Sequence, residues 1–202
     1  MVERASGVHA RSEVASTASG GGAESGAKRD LVPGEWAVLG LLAEGPAHGF
    51  ALCKALAPGG AIGEVWSVPR ALVYRTLGVL EDRELVQATA TESGPGPVRT
   101  ILSITPAGRA LLERWLDEPV EHVRDARSLL MLKLAFIDRS GRDPRLLLER
   151  QRALMHPLAE AHRERVATLS DWPHTVELWR YECVEAVIRF TEQMLAGGAG
   201  RR

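Results

Sequence analysis

The 202-residue sequence predicts a mainly α-helical protein with one β-hairpin and two successive domains. Apolar residues recur at helical spacing over most of the chain, which is typical of amphipathic helices. A period-two alternation flanks the Gly- and Pro-rich segment ESGPGP at 92–97, which indicates a hairpin. No apolar run approaches the roughly 18 residues that a membrane span needs, and no secretion signal opens the chain. We therefore expect a cytoplasmic protein.

Composition and charge exclude several function classes. The chain is 45% hydrophobic with a formal net charge of -1, and residues 33–118 hold seven Lys or Arg against ten Asp or Glu. Bulk attraction to a polyanion is therefore not expected. Cys53 and Cys183 lie far apart, without CxxC or Cys/His spacing, so we expect reduced thiols and no metal. Sequence signatures of nucleotide, zinc-protease or hydrolase sites are absent, so we expect neither an enzyme nor a cofactor.

Both ends of the chain are predicted to lack a fixed structure. Residues 1–32 are rich in Ser, Gly and Ala and contain SGGG at 19–22, and no large apolar residue recurs there at any period. Such a segment cannot offset the entropy lost on ordering. We expect a disordered tail over 1–32 and a short flexible tail over 197–202.

Frequent Gly and Pro residues divide the next part, residues 33–118, into short elements. Pro33 fits the first position of a helix that ends before Gly45-Pro46. A second helix opens at His48-Gly49 and stops at Pro58-Gly59-Gly60. These two helices precede the stretch that carries the most information about function.

The stretch 68–86 predicts a third helix with two different faces. The face centred on Val73 is apolar and suits packing on a core. The opposite face presents the small or polar residues Ala71, Arg75 and Gly78, with Tyr74 at its edge.

A β-hairpin and a fourth helix follow directly. Two alternating segments, 86–91 and 98–104, enclose ESGPGP, which predicts a hairpin with a stiff tip. Thr105-Pro106 has the residue types of an N-cap and first helical position, and the helix continues through Leu111, Leu112 and Trp115. Three helices, a hairpin and a further helix are the layout of a winged helix-turn-helix, in which the third helix recognises DNA.

The predicted DNA-binding residues follow from this layout. Arginine can bind phosphate or a guanine edge, tyrosine can bind a phosphate or a sugar, and small residues let the backbone approach the groove. Glu81, Asp82 and Glu84 cluster at the far end of the helix, so its N-terminal half should face the DNA. Two alternatives stay open: a merely solvated surface, and a winged helix that binds protein and not DNA. The candidates are Arg70, Ala71, Tyr74, Arg75, Gly78 and Arg99.

Residues 33–116 resemble the PadR family of transcriptional regulators. The similarity lies in LGLL at 39–42, Gly45-Pro46, HGF at 48–50, the stretch 73–86 and the segment 104–111. The resemblance implies a homodimeric repressor of transcription that binds an operator, with possible induction by an aromatic small molecule. The sequence departs from the family pattern at Arg70, Ala71 and Glu84; the last replaces a glycine that commonly ends the third helix.

Residues 119–196 predict an all-helical dimerisation domain. The segment 126–137 is apolar nearly all round, a helix over about 143–169 contains Pro157, and Ser170-Asp171 begins a last helix. That last helix has two adjacent apolar stripes, which suggests one seam with its own domain and one with a second copy, although one subunit could fill both. The predicted interface comprises Val176, Cys183, Val184, Val187, Ile188, Phe190 and Met194.

Tryptophans offer candidate sites for an effector, because aromatic side chains are common in ligand pockets. Trp115, Trp172 and Trp179 are the candidates, as effector contacts or as interface residues. Tryptophans at helical spacing are more often core or interface anchors than ligand contacts. The identity of an effector, the operator sequence and the sign of regulation do not follow from the sequence.

Overall fold

The structure, a computed structural model, describes residues 30–92 and 98–197. The predictions for residues 1–29, for the hairpin tip at 93–97 and for residues 198–202 lie outside the described part. Leu31, which we assigned to the N-terminal tail, is instead 6% exposed and belongs to the core. The helices are α1 Pro33–Glu44, α2 Gly49–Ala55, α3 Arg70–Asp82, α4 Pro106–Asp117, α5 Val123–Asp125, a π-helical turn Ala126–Leu130, α6 Met131–Arg139, α7 Arg145–Thr168 and α8 Asp171–Gly197.

Three antiparallel strands form a small sheet beside the first helices. The strands are β1 Ala47–His48, β2 Val86–Glu92 and β3 Arg99–Ile104, and β3 lies between the other two. The β2–β3 hairpin is the one expected from the alternating sequence, with a register shift between Ala88 and Ala90. The two-residue strand β1 was not predicted, because two residues cannot display an alternating pattern.

Local capping explains where the predicted elements begin and end. The carboxylate Oε2 of Glu35 accepts a hydrogen bond from the Val32 amide at 2.9 Å, at the start of α1. Thr105 Oγ1 accepts from the Gly108 amide at 3.0 Å and donates to the Glu84 carbonyl at 2.8 Å. The predicted N-cap of α4 is therefore confirmed, and it also ties α4 to the segment after α3.

The core of the N-terminal half lies between α1, α3 and α4. Helix α1 is buried almost all round, and α3 buries the side chains of Val73, Thr76, Leu77 and Leu80. This is the core face that the helical period predicted. Glu84 lies beyond the end of α3 with a φ of 57°, in the left-handed region that favours glycine.

A stack of three side chains joins α1, α4 and α6. The rings of Trp36 and Trp115 are parallel, with centroids 4.3 Å apart, and the ammonium of Lys133 lies 4.3 Å from a Trp115 ring centroid. Lys133 is 2% exposed and donates to the carbonyl oxygens of Trp115 and Glu118. Trp115 is only 7% exposed. Trp115, which was predicted as an effector contact or an interface residue, is therefore a core residue within the chain.

The C-terminal helices α7 and α8 pack along each other as a helical hairpin. Met155 and Ala159 of α7 form a buried cluster with Val184 and Ile188 of α8. The prediction that Val184 and Ile188 face a second copy is therefore wrong, because these side chains are 1% and 4% exposed within one chain. The helical period identified both stripes of α8, but it could not tell which of them faces α7.

The other predicted interface residues of α8 differ in exposure. Val187 and Phe190 are half-buried against the main core, and Val176 and Cys183 are also partly exposed. Met194 is 39% exposed. Trp172 and Trp179, on the same stripe, are 73% and 71% exposed. An apolar stripe that α7 does not cover thus remains on α8.

Candidate nucleic-acid interface

All five α3 residues predicted to bind DNA lie on one exposed face. The side chains of Arg70, Ala71, Tyr74 and Arg75 are exposed, and the fifth position is Gly78. A Cβ atom built on Gly78 would meet no atom within 4 Å. Packing within the chain therefore does not require a glycine there. The absence of a side chain lets a partner approach the helix backbone closely at this position.

The ring of Tyr74 has neighbours on both α2 and α3. A Cβ atom on Gly49 would lie 2.6 Å from Tyr74 Cε1, so the glycine lets the ring rest against the start of α2. The Arg70 guanidinium lies 5.8 Å from the Tyr74 ring centroid, a cation–π distance. Tyr74 is nevertheless 46% exposed. Its ring is thus held in place while part of its surface stays open.

The start of α2 contributes Phe50, which was not among the predicted DNA-binding residues. His48 Nδ1 accepts a hydrogen bond from the Ala51 amide at 3.0 Å and caps α2. Phe50 follows with its ring 6.3 Å from the His48 ring, and it is 53% exposed. A large apolar residue at the first turn of a short helix was the available signal, but the sequence alone did not show that its ring faces outward.

The hairpin closes the other side of this surface. Val98 is 66% exposed, and the next residue, Arg99, is exposed at the start of β3. A groove of about 630 Å³ separates α3 from β3, and its walls include Arg70, Tyr74 and Arg99. The structure therefore brings the predicted hairpin arginine to the same groove as three of the predicted α3 residues, Arg70, Tyr74 and Gly78.

The charges in this groove have both signs. Arg70 and Arg99 supply two cations, and Glu81 supplies a carboxylate from the last turn of α3. Ala71 and Arg75 do not line the groove and lie on the adjoining exposed surface of the helix. The cationic end of the surface is therefore the N-terminal half of α3.

A second cavity, of about 540 Å³, lies between α1, α4 and α6. Leu112, Leu116 and Phe136 supply apolar walls, and arginines paired with acidic residues surround the opening. Arg139 donates to both carboxylate oxygens of Glu44, at 2.6 and 2.5 Å. These hydrogen bonds raise the pKa of Arg139 above its ordinary value. Arg142 pairs with Asp117 at 2.6 Å.

A carboxylate is also buried between α7 and α8. Glu177 is 1% exposed and lies within hydrogen-bond distance of three cationic or potentially cationic groups: His162 Nδ1 at 2.6 Å, Arg165 Nε at 3.1 Å and Arg180 Nη1 at 3.2 Å. The hydrogen bond from His162 is the main cause that lowers the pKa of Glu177, with help from Arg180 and Arg165. This cluster fixes the α7–α8 hairpin and is remote in sequence from the groove.

Among residues 30–92 and 98–197, no helix has the length and apolar character to cross a membrane. The same residues contain no group of three or more His, Cys, Asp or Glu side chains in a metal-binding arrangement.

Residues 38–114 match the model of the transcriptional regulator PadR-like family. These residues are similar to that family, and they make up less than half of the 202-residue chain. The resemblance inferred from the sequence is thereby confirmed for the segment from α1 to α4, which includes the helix-turn-helix and the wing. The predicted fold class, a winged helix-turn-helix followed by C-terminal helices, is also confirmed.

Individual proteins are similar to parts of this chain. The probable transcriptional regulator Rv1176c of Mycobacterium tuberculosis is 33% identical over 107 residues, which are 53% of this chain and 53% of that protein. The chain thus matches about half the length of this curated relative. Bacillus subtilis PadR in complex with operator DNA aligns with a TM-score of 0.41 at 19% identity, over 80% of this chain and 96% of that one. The complex of the same protein with p-coumaric acid gives 0.40 and 17%, over 82% and 98%.

Proposed function

We propose that the protein is a sequence-specific, DNA-binding transcriptional regulator that acts as a homodimer. The observation that carries this proposal is the exposed face of α3, where Arg70, Tyr74 and Arg75 flank an open Gly78 and the wing arginine Arg99 lies across a groove. The similarity of residues 38–114 to the PadR-like family supports the same function.

In the proposed mode of binding, the N-terminal half of α3 enters the major groove. That groove of B-DNA is about 12 Å wide and admits an α-helix. Arg75 and the edge of Tyr74 would reach base edges or phosphates. Ala71 and Gly78 have a small side chain or none, so the helix backbone would approach the DNA closely at these positions. Arg99 would bind the flanking backbone. Bound protein would block access of RNA polymerase, which makes repression the proposed mode of action.

A mobility-shift titration tests this proposal. The probes are the DNA immediately upstream of the protein's own gene and an unrelated fragment, each at two salt concentrations. We expect a shift confined to the upstream fragment, with an affinity that falls steeply with salt because phosphate contacts release counterions. The double variant Tyr74→Ala/Arg75→Ala should lose the shift. Binding that is insensitive to salt, or unchanged in the double variant, would contradict the assignment of α3.

The alternative is a winged helix that binds another protein. The net charge of -3 over residues 33–118 favours this alternative, since a DNA-binding domain is usually basic. The local arrangement of Arg70, Arg75 and Arg99 favours DNA. Absence of a shift on the upstream fragment, together with capture of a partner protein that Tyr74→Ala/Arg75→Ala abolishes, would select the alternative.

We propose that the exposed stripe of α8 forms the dimer interface. Trp172 and Trp179 are more than 70% exposed although they are among the most apolar side chains, and such patches mark interaction surfaces. Trp179→Glu should convert a dimer to monomers in sedimentation velocity. Leu178→Glu is a matched control, because it adds the same charge to an exposed apolar position about 100° round the helix. Equal effects of the two variants would contradict this interface.

An effector would fit the cavity between α1, α4 and α6 better than the predicted site at Trp115. Its apolar walls suit an aromatic ring, and Arg139 and Arg142 could exchange their bonds to Glu44 and Asp117 for bonds to a ligand carboxylate. A carboxylate there would alter contacts between α6 and the winged domain, and so could release DNA.

Calorimetry with p-coumaric acid as the probe tests the cavity. We expect binding to the wild-type protein, and loss of binding in Arg142→Gln. The control Arg145→Gln removes an exposed arginine that does not line the cavity. Equal binding to both variants would exclude the cavity as the site for this class of ligand.

A further inference from the structure

The acidic end of α3 contains one residue whose position differs from that of its neighbours. Glu81 lines the groove between α3 and β3, together with Arg70 and Arg99, whereas the adjacent Asp82 does not. Both side chains are exposed. In the part of the chain that the structure describes, the carboxylate of Glu81 has no hydrogen bond or ion pair. None of the described residues therefore neutralises its charge by a direct contact.

The distance between Arg70 and Glu81 along the helix axis determines which part of the DNA would lie near Glu81. Glu81 follows Arg70 by 11 residues, which at 1.5 Å per residue is about 16 Å along the helix axis. The major groove is about 8.5 Å deep, so a helix that enters by its N-terminal half leaves its last turn near the phosphate walls. The carboxylate of Glu81 would thus face a sugar-phosphate strand in the groove and not a base edge.

We propose that Glu81 limits the affinity of the protein for DNA by repelling a phosphate of the strand that runs between α3 and the wing. The inference rests on the proposed DNA-binding function. Phosphate contacts supply the sequence-independent part of binding, and that part lets genomic DNA compete with an operator. A carboxylate in the groove that repels a phosphate weakens this sequence-independent part of the binding. Glu81 thereby makes stable binding depend on the contacts that the N-terminal half of α3 makes with bases.

The test compares two variants with the same change in net charge. Glu81→Gln and Asp82→Asn each remove one negative charge from adjacent exposed positions, but only Glu81 lines the groove. Dissociation constants are measured by fluorescence anisotropy on the upstream duplex and on an unrelated duplex, at low and at high salt. Thermal unfolding of each variant checks that the fold is retained.

We expect Glu81→Gln to tighten binding to both duplexes by about three- to tenfold at low salt, as expected for one solvent-exposed like-charge contact across about 6 Å at an effective dielectric constant of about 40 to 80. Asp82→Asn should change binding by less than about twofold, because its carboxylate is farther from the strand and screened by solvent. The gain from Glu81→Gln should shrink at high salt.

Three results would overturn the inference. Equal tightening by the two variants would mean that only net charge matters. Weaker binding of Glu81→Gln to the upstream duplex, with the fold intact, would mean that the carboxylate makes a favourable contact. Unchanged binding would mean that no phosphate approaches it. If the wild-type protein bound neither duplex, the proposed function itself would fail, and this result is distinct from the other three.

Discussion

The buried lysine between α4 and α6 should make the protein more stable at alkaline pH. Lys133 is 2% exposed, and among the described residues its ammonium donates hydrogen bonds only to carbonyl oxygens, which carry no full charge. Burial lowers the pKa of Lys133 from 10.5 to about 8, and the nearby Glu118 and Asp117 counteract part of this effect. The folded protein therefore releases a proton that the unfolded chain still holds at the same pH.

The magnitude follows from the two pKa values. Because the pKa is lower in the folded state, the unfolded chain binds more protons between pH 8 and 10.5, so the free energy of unfolding rises with pH in that window. Each tenfold change in proton affinity is worth about 1.4 kcal/mol. Raising the pH from about 7 to about 9.5 should therefore add about 2 kcal/mol through Lys133 alone.

Urea denaturation at several pH values between 7 and 9.5, at one protein concentration, measures this effect. Lys133→Met keeps an unbranched apolar chain beside Trp115 but removes the titrating group. Other groups titrate equally in both proteins, so the difference between wild type and variant isolates the lysine. We expect the wild type to gain stability relative to the variant as the pH rises. Parallel curves for the two proteins would refute the reasoning.

Three further predictions follow from local geometry. Glu84→Gly should raise the free energy of unfolding by about 0.5–1 kcal/mol in urea denaturation, because the backbone at φ 57° suits glycine, whereas Glu84→Ala should give no gain. Glu177→Gln should lower the Tm at neutral pH, whereas Glu182→Gln, at an exposed position, should leave the Tm unchanged. The pKa of Glu177 is lowered in the folded protein, so the difference in Tm between the two variants should vanish as the pH falls below the ordinary carboxyl range and through that lowered pKa. Gly49→Ala should displace the Tyr74 ring and weaken binding to the upstream duplex about fivefold, the equivalent of one hydrogen bond, with little change in Tm; unchanged affinity would show that the ring position does not matter.

Proline, glycine and capping residues at helix ends made the secondary structure of the N-terminal half predictable. Pro33, Gly45-Pro46 and Thr105-Pro106 each restrict the backbone locally, so the ends of α1 and the start of α4 could be placed without tertiary information. The two faces of α3 followed from the helical period. The exposed positions of Arg70 and Tyr74 agree with that analysis, whereas their role in DNA binding stays a prediction.

The parts that the sequence did not predict depend on contacts between distant segments. The period of α8 showed two apolar stripes, but only the packing of α7 shows that Val184 and Ile188 belong to one chain. Lys133 is a charged residue in the apolar segment 126–137, and its carbonyl partners lie 15 or more residues away in the sequence. Trp115 was a ligand candidate until Trp36 was found stacked against it. Such pairings require the three-dimensional structure.

The salt dependence of binding to the upstream duplex tests the central claim, that the exposed face of α3 contacts DNA, most directly. The measurement compares the slope of log Kd against log salt for the wild type, Arg75→Ala and Arg127→Ala, an exposed arginine of the C-terminal helices. Each lost phosphate contact should reduce the slope by about 0.9. We predict a smaller slope and weaker binding for Arg75→Ala, with Arg127→Ala unchanged. Equal slopes for all three proteins, or the reduction in Arg127→Ala instead, would contradict the assignment of α3 as the recognition helix.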